Sequence, residues 1–487
     1  MPTQSRFRRL MIARSMHLPR SADLWMPVIL ALVFFILQAR FLSIAVQQGT
    51  DEGVYAEAGR MIVRGFLPHR DFPFWHMPLF PLLIGMGLKI FGQMNVLRMA
   101  FLALNCFSVI PLFIIFKKVS GSRFAPLPAL VLYLSFHEMV HHDFRFLAIR
   151  QLANVLLILF LYCRLLHPEA RWAFRAQIIL AVLSGFLFLP ALLNILILSF
   201  VLSLWQTDDV RQRSDLRNTM KIALTSLIAI SLYFLLIPHA FQQVVFEQFT
   251  RSGGRSLSRF FELFHSRKDS LLYLLSVSSL VGVIALLRPL RPLAVSMLVI
   301  IVLALFLSSN YYPHYMSLAG PAFAFGILCL VLILWEIGRE MDLPRTIPVF
   351  GGVLLVSVHL WITLPSLLAE WNGNHHADYP AFIERLRSLP GPLLSAQPIH
   401  AVLAGKYLVQ EIQNVTLRSP QSQNPHTSAE FGNMREKACT ILLEGRLEGA
   451  LPKGMKDKWI QESSLVEKTP WGILLLTNQP HCAPIGR

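Results

Sequence analysis

The chain has 487 residues, of which 54% are hydrophobic and 15% are charged, and its mean hydropathy is +0.53. Soluble domains carry about 25% charged residues, so this composition excludes an ordinary soluble enzyme as well as disordered, collagen-like and coiled-coil chains. In a soluble protein the net charge of +16 would indicate nucleic acid, whereas basic cytoplasmic loops account for it in a membrane protein. We therefore expect no nucleic-acid partner.

Apolar blocks separated by short basic stretches predict a polytopic α-helical membrane protein, because backbone polar groups inside lipid must be satisfied within helices. Residues 1–23 contain five arginines and no apolar block, which predicts a cytoplasmic tail before a signal anchor. The predicted spans are 24–46, 98–116, 124–140, 148–164, 176–190, 191–205, 221–237, 271–287, 293–309, 317–335 and 348–366.

The segment 77–92 is ambiguous, because it is apolar but contains two prolines, three glycines and a lysine. If it does not cross, five later segments face the cytoplasm and together hold fourteen basic residues, as the positive-inside rule favours. Those segments are 117–123, 164–175, 206–221, 288–292 and 336–348. We therefore predict about eleven transmembrane helices, with 77–92 lying at the outer surface or re-entering from it.

This topology divides the chain into three predicted parts. They are a cytoplasmic tail at 1–23, a multispan domain at 24–366 with an outer loop at 47–97, and an outer segment at 367–487. The outer segment is nearly neutral and has the composition of a small soluble domain. We expect it to form a small extracytoplasmic α/β domain.

Within this last segment, local patterns predict a few elements. A helix is expected to begin at Asp378 with a proline in its first turn, and the runs 440–443 and 471–477 predict buried strands. Cys439 and Cys482 also lie here, and an oxidising compartment would permit a disulfide between them. The sequence does not decide whether the two cysteines pair.

An acidic pair, Asp51 and Glu52, follows the first span almost directly. Thr50 could cap a helix at this point, with an apolar face formed by Tyr55, Ala58, Met61 and Ile62. A carboxylate held at the membrane surface can act as a general base on a hydroxyl or hold a divalent cation. The alternative is that both acids are solvated charges that the helix dipole favours.

Basic and aromatic residues recur at predicted outer ends of the multispan domain. His69–Asp71 and Trp75–Leu79, with His76, lie in the first outer loop, and Tyr312–Tyr315, with His314, lies at a later outer end. Such residues are candidates for substrate binding. Aromatic residues at these depths also serve as interfacial anchors.

Two other outer loops carry candidate binding residues. Arg251, Arg255 and Arg259 are spaced i, i+4, i+8, so they would form one face of a helix and could bind a lipid phosphate through paired hydrogen bonds. Attraction to anionic headgroups without specificity is the alternative. The loop 137–143 combines histidines with Glu138 and Asp143, which allows metal binding or an ordinary hydrogen-bonded cluster.

Several of these residues together resemble a known family. The pattern resembles the first-loop signature of GT-C membrane glycosyltransferases, in the protein O-mannosyltransferase and aminoarabinose-transferase branch. It consists of Asp51-Glu52, Tyr55, Ala58, Arg64-Gly65 and Pro78-Leu79. The Tyr312–Tyr315 stretch is similar to a late-helix motif of bacterial members.

The resemblance implies a GT-C-like fold and transfer of a sugar from a polyprenyl-phosphate donor to an acceptor on the outer face. The acceptor would be a lipid, a glycan or a protein, and the enzyme would be a hexosyl- or pentosyltransferase of the bacterial inner membrane. Asp51 matches the catalytic acid of the family and Glu52 its neighbour, while Tyr55 and His76 fall in the substrate-binding pattern. No cofactor is expected apart from a possible divalent cation at Asp51 or Asp143.

The chain departs from the family pattern at three places. His76–Leu79 lacks the first proline of the family's Lys/His-Pro-Pro-Leu motif, and Ile149–Gln151 stands where relatives often have an aspartate. Leu189–Ala191 stands where relatives commonly have a lysine or arginine at a hinge between two short spans. The cation for the donor phosphate is therefore expected elsewhere, with Arg251–Arg259 as candidates.

Two other functions remain open at this stage. A transporter or flippase of lipid-linked sugars would share the polytopic composition, although intramembrane charges are few and no paired broken helices repeat. A noncatalytic assembly subunit is also compatible with every pattern above.

The topology can be tested by cysteine labelling. A cysteine introduced at Gly121 should react with an impermeant reagent only from the cytoplasmic side, and one at Ser252 only from outside, because an odd number of crossings separates them. Labelling of Gly121 from outside would mean that 77–92 crosses the membrane.

Overall fold

The computed structural model describes most of the chain. The described residues are 21–43, 50–136, 140, 146–204, 209–246, 270–287, 290–306, 313–341, 351–352, 354–363, 365, 378–409 and 427–482. They divide into two compact units. We call Met1–Ser43, Trp75–Leu79 and Arg98–Asn372 the helical unit, and Ile44–Phe74, Phe80–Leu97 and Gly373–Arg487 the sheet unit.

Most of the described chain is helical. In chain order, the α-helices are α1 (Ser21–Ala39), α2 (Thr50–Val63), α3 (Leu79–Phe91), α4 (Met94–Phe107), α5 (Val109–Ser120), α6 (Pro126–Ser135), α7 (Ile149–Leu166), α8 (Arg171–Leu187), α9 (Leu189–Leu204), α10 (Asp209–Leu236), α11 (Pro238–Phe241), α12 (Ser270–Leu286), α13 (Arg291–Phe306), α14 (Gly320–Glu340), α15 (Leu354–Thr363), α16 (Tyr379–Ser388), α17 (Pro398–Ala404), α18 (Ser428–Lys437), α19 (Gly445–Ala450) and α20 (Met455–Gln461). Shorter turns are the 3-10 helices Arg40–Ser43, Pro313–Ala319 and Pro480–Cys482 and the π-helical turn Gln242–Phe246.

Each of the eleven predicted apolar blocks overlaps a helix. Among the described residues, four helical stretches are long and apolar enough to cross a membrane: Met94–Ser120, Ile149–Leu166, Gln212–Leu236 and Met316–Gly338. The other apolar helices are shorter than 18 residues, so the number of crossings stays a prediction. Composition and these helices together indicate an integral membrane protein.

The ambiguous segment 77–92 forms α3, which has 13 residues. At a rise of about 1.5 Å per residue this helix is about 20 Å long, whereas the hydrocarbon core is about 30 Å thick. Whether this segment crosses stays a prediction, and most of it belongs to the sheet unit.

Polar side chains link three membrane helices inside the helical unit. The Arg164 guanidinium on α7 donates to Ser203 Oγ on α9 at 2.8 Å and lies 3.6 Å from a carboxylate oxygen of Asp215 on α10. Thr219 Oγ1 lies 2.8 Å from both Ser199 Oγ and Ser203 Oγ. Because unpaired polar groups are costly in apolar surroundings, this network joins the three helices at one level.

The sheet unit contains a four-stranded sheet in the order β1-β2-β4-β3. The strands are β1 (Leu393–Leu394), β2 (Thr440–Leu443), β3 (Ser463–Thr469) and β4 (Gly472–Thr477). β1 pairs parallel with β2, and the other two pairings are antiparallel. The core lies against the sheet and includes Leu386, Phe431, Ile441, Trp459 and Leu474.

The local predictions for this segment are confirmed. A helix begins at Tyr379 directly after Asp378, and strands occupy 440–443 and 472–477. Cys439 and Cys482 form a disulfide, which answers the question that the sequence left open. The disulfide joins Cys439, the residue before β2, to Cys482, the last described residue.

A buried carboxyl group lies at the edge where the two parallel strands end. Ser395 follows β1 and Glu444 follows β2, and Ser395 Oγ donates to Glu444 Oε1 at 3.0 Å. Burial raises the pKa of Glu444 to about 8, although hydrogen bonds from Ser395 and from backbone amides favour the carboxylate. Glu444 is therefore largely protonated at neutral pH.

Replacing Glu444 with Gln should stabilise the sheet relative to the wild type by a margin that grows between about pH 4.5 and pH 8 and is therefore larger at pH 9 than at pH 6. The unfolded chain loses this proton near the ordinary value of 4.5 and the folded chain near 8, so wild-type stability falls as the pH rises between these values. An amide mimics the protonated acid and does not titrate. The measurement is hydrogen exchange of the β2 amides in both proteins at pH 6 and pH 9.

Glu467→Gln is the control, because Glu467 pairs with Arg385 on the surface and such pairs contribute about 0–1 kcal/mol. Equal exchange in the wild type and in Glu444→Gln at pH 9 would contradict the assignment of a neutral Glu444.

Candidate active site

Helix α2 carries the acidic pair in its first turn, as the sequence predicts. Asp51 is exposed and, within the described residues, its carboxylate has neither a hydrogen bond nor an ion pair. Glu52 is only 1% exposed. The helix N-terminus favours negative charge at both positions. The two adjacent acids differ in burial, since Asp51 faces solvent and Glu52 belongs to the packed interior.

The predicted apolar face of α2 is also present. Tyr55, Ala58 and Met61 are buried, and Ile62 is partly buried. The Tyr55 ring makes edge contacts with Phe80 and Phe74, at centroid distances of 4.9 and 6.3 Å. Tyr55 therefore packs inside the sheet unit, and its proposed contact with substrate stays a prediction.

α2 approaches α3 backbone to backbone. A Cβ atom on Gly59 would lie 2.5 Å from the carbonyl oxygen of Pro81 and 2.6 Å from the amide nitrogen of Gly85. A Cβ on Gly85 would meet the Gly59 carbonyl in turn. Only glycine fits at this crossing, so the pair fixes the position of α2 on α3.

A buried ion pair on α2 was not identified from the sequence. Glu57 lies 3.2 Å from the Arg60 guanidinium at i, i+3 spacing. Burial raises the pKa of Glu57, and the charges of Arg60 and Arg64 oppose that rise. The spacing alone would have suggested this pair, whose side chains lie on the same helix as Asp51.

The turn after α2 contains charged residues that hydrogen-bond within it. The Asp71 carboxylate accepts hydrogen bonds from the Leu67 amide at 2.7 Å and from Arg70 Nε at 2.8 Å. These hydrogen bonds lower the pKa of Asp71. His69 is buried with a left-handed backbone, φ 67°. His69 is therefore packed within the turn, whereas Arg70 is exposed beside Asp71. Their proposed contact with substrate stays a prediction.

His76 belongs to the helical unit and lies at the break between α8 and α9. Its ring centroid is 6.1 Å from that of Phe188, the extended residue between these helices. Relatives commonly place a lysine or arginine at this hinge, and Leu189–Ala191 offers none. An imidazole from a distant part of the sequence therefore lies beside the hinge.

A second basic residue lies at the start of α7. Arg150 is 7% exposed, and its Nε donates to Ser317 Oγ at 3.2 Å. Asn154, one turn further along α7, donates to the Ser317 carbonyl at 2.7 Å. Arg150 lies in the stretch Ile149–Gln151, which departs from the family pattern at the end of the third outer loop. The fold makes it a buried cation beside the Pro313–Ala319 helix, which also contains His314.

Other predicted site residues lie outside the described part of the chain. They are Arg251, Arg255, Arg259 and Asp143, together with the rest of the 137–143 cluster except Val140, and the side chain of His314. Their assignments to the donor phosphate, to substrate or to a metal stay predictions.

Among the residues that the structure describes, one group of three metal-type ligands clusters together: Cys439, His481 and Cys482. The disulfide occupies both sulfurs, so this group is not a metal centre. Asp51 and Glu52 have no third such ligand beside them in the described ranges. A divalent cation at Asp51 stays a prediction.

The chain and its structure were compared with known proteins. No protein-family model and no curated protein sequence matches the chain. The structure is similar to ArnT from Cupriavidus metallidurans in the apo state, with a TM-score of 0.60 and 14% identity, over 94% of this chain and 98% of that chain. It is also similar to the same protein bound to undecaprenyl phosphate, with a TM-score of 0.60 and 15% identity. This similarity covers 92% of this chain and 97% of that chain.

The similarity extends over nearly the full length of both chains. The chain therefore has the fold of ArnT.

Proposed function

We propose that this protein is a membrane glycosyltransferase that transfers a sugar from a polyprenyl-phosphate donor to an acceptor at the outer face of the bacterial inner membrane. The observation that carries the proposal is the full-length similarity to ArnT, including ArnT bound to undecaprenyl phosphate. The acidic first turn of α2 also supports the proposal, because it supplies a carboxylate that can act as a general base.

The reaction is a substitution at the anomeric carbon. The acceptor hydroxyl oxygen forms a bond to that carbon, the bond from the carbon to the phosphate oxygen breaks, and polyprenyl phosphate leaves. A base must take the hydroxyl proton during this step. Asp51 suits this role because its carboxylate is exposed and is not engaged by the described protein groups.

Glu52 has a supporting role in this proposal. Its side chain is buried, so it cannot reach an acceptor without a change in the packing of α2. It contributes to the interior that holds the first turn of the helix, and Asp51 takes the proton.

The leaving phosphate gains negative charge as the bond breaks, so a fixed cation near it stabilises the transition state. Arg150 suits this role because guanidinium forms paired hydrogen bonds to phosphate oxygens and because charges act more strongly when they are shielded from water. His76 beside Phe188 is a second candidate. Arg251, Arg255 and Arg259 would then attract the donor headgroup at the surface.

Asp51→Asn should lower turnover about 100-fold or more, since acid–base catalysis typically contributes 10²–10⁴. The assay is release of undecaprenyl phosphate from an undecaprenyl-phospho-sugar by purified protein in detergent. No compartments exist there, so a flippase gives no signal. Binding of undecaprenyl phosphate should survive, because a negative lipid gains nothing from a nearby carboxylate.

Glu52→Gln is the matched control and should lower turnover less than Asp51→Asn, because Glu52 only supports the turn. If Asp51 holds a divalent cation, excess Mg²⁺ or Mn²⁺ should partly rescue the Asn variant, since an amide oxygen remains a weak ligand. A fully active Asp51→Asn enzyme would exclude both roles.

Arg150→Gln should weaken binding of undecaprenyl phosphate at least about tenfold, because it removes the paired hydrogen bonds while keeping a polar group near Ser317. Arg164→Gln is the control on the same helix. Both arginines are 7% exposed, they lie about 21 Å apart along α7, and Arg164 already pairs with Asp215.

We expect Arg164→Gln to reduce the yield of folded protein while the folded fraction binds the lipid normally. Binding constants measured on monodisperse protein separate the two effects. Unchanged lipid affinity in Arg150→Gln would assign the phosphate to other cations, such as His76 or the arginines of 251–259.

A further inference from the structure

The acidic helix α2 is in close contact with α17, the short helix that follows β1 of the sheet. A Cβ atom on Gly53 would lie 2.4 Å from the backbone nitrogen of Ile399 and 3.0 Å from its Cα. Gly53 is two residues after Asp51. The first turn of α2 thus touches α17 through backbone atoms, where no side chain can adjust.

The contact continues along the length of α2. Arg60 Nη1 lies 3.4 Å from the carbonyl oxygen of Ala401, to which it donates. The guanidinium carbon of Arg64 lies 4.0 Å from the centroid of the Tyr407 ring, and that of Arg60 lies 5.9 Å from it. Cation–π contacts of this kind are attractive. Gly53 and Arg60 of α2, and Arg64 directly after its last residue, therefore contact the segment 399–407.

The sheet in turn fixes α17 at both ends. Before the helix, the Gln397 amide donates to Ser395 Oγ at 3.1 Å, and Ser395 donates to the buried Glu444. After the helix, the Leu393 amide donates to the Tyr407 carbonyl at 2.7 Å. α17 is therefore part of the rigid sheet structure and not a loose connection.

We propose that α17 is a positioning element for Asp51, so that the C-terminal segment takes part in the transfer reaction through Gly53, Arg64 and their partners. The inference rests on the proposed function, in which Asp51 is the base. Reaction rates depend on atomic positions to within about 1 Å. A shift of the first turn of α2 would move the carboxylate by a comparable distance.

Gly53→Ala tests the proposal, since the new methyl group must displace α2 from Ile399. Gly432→Ala is the matched control, because a Cβ at Gly432, in α18, would meet no atom within 4 Å. We expect kcat to fall at least about tenfold in Gly53→Ala, with undecaprenyl phosphate affinity within about twofold of the wild type. Gly432→Ala should keep both values.

Tyr407 provides a second test that does not depend on tolerance of the packed glycine. Its side chain is 57% exposed, so substitution should leave the protein folded. Tyr407→Ala should lower kcat several-fold, whereas Tyr407→Phe keeps the aromatic ring and should keep kcat near the wild-type value. The double variant Arg64→Ala/Tyr407→Ala should have nearly the same kcat as Tyr407→Ala alone. Hydrogen exchange of the α2 amides, measured without substrate, should be faster in Gly53→Ala and Tyr407→Ala than in Gly432→Ala.

These measurements separate failure of the inference from failure of the proposed function. If Asp51→Asn is inactive while Gly53→Ala and Tyr407→Ala keep wild-type kcat and α2 exchange, the positioning role is overturned and the base is retained. If Asp51→Asn is fully active, the role of the base is wrong and positioning of Asp51 falls with it. Equal loss of kcat and lipid binding in Gly53→Ala would also overturn the proposal, because it would indicate general misfolding.

Discussion

The backbone contacts of two glycines on one short helix determine where the acidic pair of this protein lies. Gly53 meets Ile399 of α17, and Gly59 meets Gly85 of α3. The two glycines are six residues apart, or about 9 Å along the helix axis. Contact between backbones leaves no rotatable side chain to absorb a displacement, so α2 can neither slide nor roll without breaking one of the two contacts. The Asp51 carboxylate, which is exposed and has no hydrogen bond or ion pair to the described residues, is thereby held at the end of a fixed helix.

The helices and strands could largely be predicted because the patterns that form them are local. Apolar blocks marked the membrane helices, the runs at 440–443 and 471–477 marked two strands, and the periodicity after Asp51 marked the buried face of α2. Each of these signals lies within a window of about 20 residues. The Glu57–Arg60 pair is equally local, and the i, i+3 spacing would have sufficed to find it.

The contacts that define the candidate site are not local, and a single sequence does not reveal them. Ser317 is 167 residues from Arg150, and Ala401 is 341 residues from Arg60. Local sequence does not show that Gly53 lies against the backbone of Ile399, which is 346 residues away. Nor does it show that Arg150 is buried.

The two arginines of α7 have different partners within the helical unit. Arg164 lies near a carboxylate of the same unit, Asp215, and joins a network of hydroxyl groups. Arg150 donates to the hydroxyl of Ser317, which lies in the 3-10 helix Pro313–Ala319. The two cations of one helix thus contact different parts of the helical unit.

The disulfide between Cys439 and Cys482 has a consequence for the parity of the membrane crossings. Structural disulfides persist in oxidising compartments, so the bond favours the outer side for the sheet, while the arginines of residues 1–23 favour the cytoplasm for the opposite end. A chain whose ends lie on opposite sides crosses an odd number of times. With these two orientations, any reassignment of the shorter apolar helices adds or removes them two at a time, so the assignments of distant spans depend on one another.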